Sequence, residues 1–183
     1  MMRRDEKVNK IVLTGLMMCL VTVATMFIKV PVPFTQGYVH LGDSMIFLSV
    51  LVLGKRNGVI AAGVGSALGD ILGGYAFWAP WTLIIKGIMA LIMGIFVEHM
   101  DKKGKIQSEN SGVNFMEIMG MTLAGLFMVG GYYVTEVIMY GNWMTPIPSI
   151  PFNIGQFVVG MVLAVMASAA LCKTSAKKFF AIK

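Results

Sequence analysis

The sequence predicts an all-α membrane protein, a bundle of six transmembrane helices. Three observations lead there. Hydrophobic residues make up 57% of the 183 positions, charged residues only 13%, and the mean hydropathy is +0.77; a soluble domain carries about 25% charged residues. Every Lys and Arg except Lys29 and Lys86 falls in one of four clusters: Arg3/Arg4/Lys7/Lys10, Lys55/Arg56, Lys102/Lys103/Lys105 and Lys173/Lys177/Lys178/Lys183. The turns around 30–42, 73–80 and 141–150 hold no Lys or Arg. Short cytoplasmic loops collect Lys and Arg and short external ones do not. Six spans with both termini cytoplasmic give this alternation.

The first helix is expected over about 9–29. Its apolar run, Ile11 to Ile28, is too long for the core of a signal peptide and no Ala-x-Ala site follows, so it is read as retained. Pro31 and Pro33 stop it, because proline lacks a donor and restricts its predecessor. The second helix, about 43–53, is too short to span alone at about 1.5 Å per residue. Gly54-Lys55-Arg56-Asn57-Gly58 reads as a tight inner turn. The third helix covers about 58–72. Its Gly65, Gly69 and Gly73 recur every four residues, a seam that lets another backbone approach. The fourth runs over about 79–97, with Pro80 in its first turn. A hydrophilic connector, 99–114, joins the halves on the cytoplasmic side. The fifth and sixth helices fall at about 115–140 and 151–172, and residues 1–183 form one integral membrane domain.

Ionisable groups inside hydrocarbon cost several kcal/mol unless paired or wetted, so each is a candidate for function. Asp43, Asp70, Lys86 and Glu136 qualify, and all four fall in the outer half of the bundle. Trp78, Thr82 and Lys86 are spaced by four and share a helix face, with Trp81 beside them. Tyr132, Glu136 and Tyr140 repeat the spacing on the fifth helix, and Asn153 and Gln156 sit three apart on the sixth. Three helices thus offer polar and aromatic groups at one depth. Rings can stack on Trp78, Trp81 and Tyr132, while Lys86, Glu136, Asn153 and Gln156 bond the edges of a small flat polar molecule. Each group also has a plainer reading. The Trp residues and Tyr140 suit an interfacial belt, Lys86 and Glu136 an ion pair, Asp43 an N-cap, Asp70 a brace for the following loop, and Lys29 a snorkelling cation.

Several classes are excluded or disfavoured. The net charge of +6 is explained by the inside bias, and aromatic-and-basic stripes of the nucleic-acid kind are lacking. No phosphate loop G-x-x-x-x-G-K-[ST] or H-E-x-x-H pair occurs, and no nucleophile–base arrangement stands out, so no enzyme activity, catalytic residue or cofactor is expected. His40 and His99 are placed on opposite sides of the membrane and Cys19 and Cys172 lie in opposite terminal helices, so no metal site is expected. Six short helices without a clear inverted repeat are small for a self-sufficient carrier. A stand-alone secondary carrier is the lesser alternative to a binding unit that needs a separate motor.

His40-Leu41-Gly42-Asp43, Leu53-Gly54-Lys55-Arg56-Asn57-Gly58, Gly73-Gly74-Tyr75, Thr82-Leu83-Ile84-Ile85-Lys86-Gly87 and Pro151-Phe152-Asn153 resemble the substrate-binding S components of energy-coupling factor (ECF) transporters. The resemblance covers roughly Thr14 to Ala170. It implies a six-helix protein of the prokaryotic cell membrane that captures a vitamin outside and works with a transmembrane coupling subunit and two ATPases. It also implies a lid formed by loop 30–42, with Phe34 and Tyr38, over a pocket that includes His40. Gly15 and Cys19 would match the small-residue position that docks the coupling subunit. The H-L-G-D stretch looks most like the branch for pyridoxine-type B6 vitamers or hydroxymethylpyrimidine, with pantothenate and riboflavin as alternatives.

Overall fold

A computed structural model describes residues 2–27, 29–33, 37–102 and 113–174. The chain order is α1 (Met2–Phe27), β1 (Lys29–Pro31), β2 (Tyr38–His40), α2 (Gly42–Leu72), α3 (Ala79–Lys102), α4 (Phe115–Tyr140) and α5 (Ser149–Cys172). All five helices are long and apolar enough to cross a membrane. Among the described residues there are five helices where six were expected. The second and third expected helices form one element, α2, broken within by Gly54 at φ 74°, ψ −177°. That backbone region is open essentially to glycine alone. Gly58 then lies so close to Val50 that a Cβ on it would stand 2.9 Å from the Val50 Cα. Eight residues of straight helix would separate them by about 12 Å, so the two arms of α2 fold back on each other.

Within and beside the expected loop 30–42 the chain pairs as a short antiparallel hairpin, with Lys29 opposite His40 and Pro31 opposite Tyr38. α1 ends at Phe27, two residues before the expected bound of 29. Phe34 and most of the connector lie outside the described residues.

The glycine seam of α2 receives α1. A Cβ on Gly65 would meet the Met18 carbonyl at 2.8 Å, and one on Gly69 the Thr25 Cβ at 2.8 Å. At the other flank α5 crosses the start of α2 at Gly160, where a Cβ would stand 2.8 Å from that of Asp43. Gly125 of α4 likewise accommodates the Phe157 ring of α5. Between these crossings lies a methionine-rich core, with Met89, Met93, Met121 and Met128 fully buried beside Phe47, Val50 and Leu51. The unbranched thioethers fill the irregular gaps left by crossing helices. Large apolar side chains such as Phe27, Phe115, Ile138 and Met166 face outward, as lipid contact requires.

Lys55, beside the α2 bend, pairs with Glu98 near the end of α3 at 2.7 Å. Leu13, Leu53, Ala167 and Leu171 gather in one cluster. The basic residues at the start of α1 and the end of α5 therefore share the end of the bundle that holds Lys55. The hairpin caps the opposite end.

Gly54→Ala should lower the thermal midpoint in detergent, at a cost of about 1–3 kcal/mol, because alanine is strained at that φ. Gly15→Ala is the control. Its Cβ would meet nothing within 4 Å, so the midpoint should hold.

Candidate functional site

At the hairpin end the helices part around a hollow of about 400 Å³, some of it open to solvent. The hairpin contributes Val32, Gly37, Tyr38 and His40; α2 contributes Asp70, α3 Trp78 and Thr82, α4 Tyr132 and Glu136, and α5 Asn153 and Gln156. Of the residues singled out from spacing, Trp78, Tyr132, Glu136, Asn153 and Gln156 meet here, and His40 and Tyr38 join them from the hairpin. Trp78 stands just before α3 and meets the Tyr132 ring edge-on, with centroids 6.1 Å apart. The Tyr132 hydroxyl donates to Thr82 Oγ1 at 3.3 Å.

Lys86 and Trp81 stand elsewhere. Trp81 packs half-buried against the core. Lys86 is fully buried one layer beneath the hollow and forms an ion pair with Asp43. The reading of Lys86 as the partner of Glu136 is thereby corrected. So is the reading of Asp43 as an N-cap: Leu41 holds the cap position, and the Asp43 carboxylate turns inward from the first turn of α2. The Lys86 ammonium also donates to Met128 Sδ at 2.8 Å and lies 5.3 Å from the Tyr132 ring centre. With these contacts the ammonium is fully engaged within the protein.

A chain of bonds runs from this pair to the hairpin. Gln156 Nε2 donates to Asp43 Oδ2 at 2.9 Å, and Gln156 Oε1 accepts from the His40 backbone N–H at 2.8 Å. These two bonds fix which end of the Gln156 amide points where. His40 Nδ1 in turn accepts from the Gly42 N–H at 2.9 Å. An imidazole that accepts at Nδ1 carries its proton on Nε2. Burial first, and then the nearby Lys86 charge, push His40 down to about 3, so the ring is neutral at ordinary pH.

The hairpin is held from its outer side as well. The Tyr38 hydroxyl donates to Asp70 Oδ1 at 2.5 Å. Burial, and then the Asp70 charge, raise Tyr38 well above the usual phenol range. Lys29 does not snorkel. Its ammonium donates to the Gly73 carbonyl at 2.9 Å and sits 4.9 Å from the ring centres of both Tyr38 and Tyr75. Asp70 thus braces the hairpin, and it also lines the hollow.

The Asp43–Lys86–Gln156–His40 chain has no signature in local spacing. Its members are brought together by three separate chain crossings. Thr82 carried a legible signal, standing midway between Trp78 and Lys86 on one helix face. Gly15 and Cys19 both lie on the outward face of α1, and Gly15 has open space around it. Gly15 therefore does not serve packing inside the bundle.

A sequence profile of the family described as "ECF-type riboflavin transporter, S component" matches residues 5–173. A protein of Pyrococcus woesei described as "Uncharacterized protein in gap 3'region" is 40% identical over 121 residues, 66% of this chain and 74% of that one. The thiamine precursor transporter HmpT of Lactococcus lactis subsp. cremoris (strain MG1363) is 28% identical over 171 residues, 93% of this chain and 92% of its own. Among solved structures, the S-component for biotin from an ECF-type ABC transporter superposes with a TM-score of 0.72 at 16% identity, covering 96% of this chain and 97% of that one. That likeness is one of fold.

Lys86→Met should destabilise the protein by about 3–5 kcal/mol, because it leaves Asp43 buried without its counter-charge. The double variant Asp43→Asn with Lys86→Met should melt higher than Lys86→Met alone, as a thermal scan in detergent would show. Acidification supplies a second measurement. His40 is depressed on folding, so its contribution is whole above its unfolded value of about 6.5 and erodes as pH falls toward about 3. In His40→Asn an amide oxygen can still accept from Gly42, and its loss of stability between those limits should be shallower than the parent's.

Proposed function

This chain belongs to the ECF-type transporter S-component family, and from that premise we propose that it captures a small hydroxylated heteroaromatic ring, hydroxymethylpyrimidine first and a B6 vitamer second. The observation that carries this reading is the make-up of the hollow. Tyr38, Trp78 and Tyr132 supply ring faces, and five secondary-structure elements or their flanks supply polar edges. Its size lies at the low end for small-molecule pockets, which suits one ring better than a fused three-ring system.

Charge narrows the class. Lys86 is spent on Asp43, and Lys29 is held by the Gly73 carbonyl and two tyrosine rings. Among the described residues lining the hollow there is no lysine or arginine, while Asp70 and Glu136 are acids. A ligand bearing a carboxylate would meet acids without a counter-ion. This disfavours pantothenate-like and biotin-like acids. Similarity over most of the chain to a thiamine precursor transporter supports the pyrimidine reading.

The end of the bundle that holds Lys55 and the termini then faces the cytoplasm, as the inside bias of basic residues requires, and the hollow opens outward. A transmembrane coupling subunit and two ATPases would provide the energy for release. The outward face of α1, with Gly15 and Cys19 four apart, is where small side chains allow another helix to come close.

Purified protein titrated with each ring, followed by Trp fluorescence, tests the ligand. Hydroxymethylpyrimidine or pyridoxine should bind at least about tenfold more tightly than riboflavin, pantothenate or biotin, a gap of about 1.4 kcal/mol. Tighter binding of riboflavin or of an acid overturns the proposed ligand class.

A further inference from the structure

We propose that Asp70 and Glu136 are the residues that select the ligand, and that they take it as a proton-bearing ring. This rests on the hollow being the vitamin site. Asp70 is 2% exposed and Glu136 3% exposed. Asp70 Oδ1 is engaged by Tyr38, but Asp70 Oδ2 has no donor. Glu136 Oε2 has none either. Both residues line the same hollow, one from the end of α2 and one from the last turns of α4.

A buried carboxylate oxygen left without a donor is expensive, more so than a neutral acceptor. Folding has satisfied the neighbouring groups and left these two. The Thr82 hydroxyl faces the Asp70 carboxyl and the Ser149 hydroxyl that of Glu136, yet Asp70 Oδ2 and Glu136 Oε2 are left without a partner. Asp70 is faced by Tyr38 of β2, Lys29 of β1, Thr82 and Lys86 of α3 and Tyr132 of α4. Tyr38 already gives its proton to Oδ1, Tyr132 donates to Thr82, and the two ammonium groups are bound elsewhere. Glu136 is faced by Ser149 of α5, whose hydroxyl donates to the Pro146 carbonyl, and by Tyr132 on its own helix. No group of three or more His, Cys, Asp or Glu that could hold a metal occurs among the described residues.

The missing donors must arrive with the ligand. A ring N–H beside an exocyclic amino group presents two parallel donors to one carboxylate, the geometry that makes such bonds strong. A hydroxymethyl group can serve the other. A proton on the ring also places positive charge against the Trp78 and Tyr132 faces, which attract cations. His40, with its proton on Nε2, supplies a donor of the opposite sense and so a place for a ligand acceptor. The specificity is one of polarity: two acids for the N–H and O–H edges, one neutral imidazole for the acceptor edge.

The test measures hydroxymethylpyrimidine affinity from about pH 8 to about pH 6 in the parent, Asp70→Asn and Glu136→Gln, with the thermal midpoint of each protein recorded without ligand. His40 stays neutral across this window. Where the free ring is mostly unprotonated, parent affinity should rise by up to about tenfold per unit of acidification. Each variant should bind at least about tenfold more weakly and with a shallower pH slope. Without ligand each should melt at or above the parent, because an amide in place of an unsatisfied buried charge relieves a cost. An affinity independent of pH and unchanged in the variants overturns the inference while leaving the ligand reading intact. Variants that melt well below the parent would show the acids to be structural, which also overturns it. Failure of the parent to bind this ring or pyridoxine at any pH refutes the ligand reading itself.

Discussion

The buried ion pair between Asp43 and Lys86 is the constraint around which the hairpin half of this protein is arranged. Two charges at that depth cannot be left apart, since a single uncompensated one costs several kcal/mol in a low-dielectric surround. Pairing them forces the first turn of α2 against α3. Gln156 then ties α5 to the same carboxylate, and Met128 and Tyr132 bring α4 to the same ammonium. One contact thus locates four helices with respect to each other. Because Gln156 and Gly42 both bond His40, that contact also ties the hairpin to the wall of the hollow.

Below this layer the protein is built for adaptability, and above it for recognition. The methionine core can repack around small displacements of the helices. The hollow is more closely specified, because each of its main polar groups has a fixed sense. Gln156 cannot flip without breaking two bonds, and His40 cannot move its proton without losing Gly42. Asp70 and Glu136 remain as acceptors. A binding subunit that must choose one vitamin among several ring compounds needs this kind of fixed polarity, since aromatic walls alone do not distinguish one ring from another.

The two halves of the reading differ in how legible they were. Gly54 stood out as part of an inner turn, and the chain does reverse there. Local sequence could not show how closely the two arms pack across it, with Gly58 against the Val50 backbone. Trp78, Tyr132, Glu136, Asn153 and Gln156 could be placed in one layer because helical periodicity carries a side chain's face, and depth follows from distance to a helix end. Lys86 obeyed the same periodicity yet lies under the hollow. Periodicity gives a face, and a face can hold both a lining residue and the one a turn deeper.

What the sequence determined by itself was the apolar, helical character of the chain, the end of the bundle at which the basic residues gather, and the layer in which several polar groups meet. These follow from composition and spacing along the chain, which are local quantities. Only the tertiary structure decided that Asp43 answers Lys86, that Tyr38 reaches Asp70, and that two carboxylate oxygens of residues lining the hollow are left without a donor. The two pairings join residues 43 and 32 positions apart. No local rule relates such positions; they are chosen when the helices pack and each buried charge must find the partner that packing brings within reach.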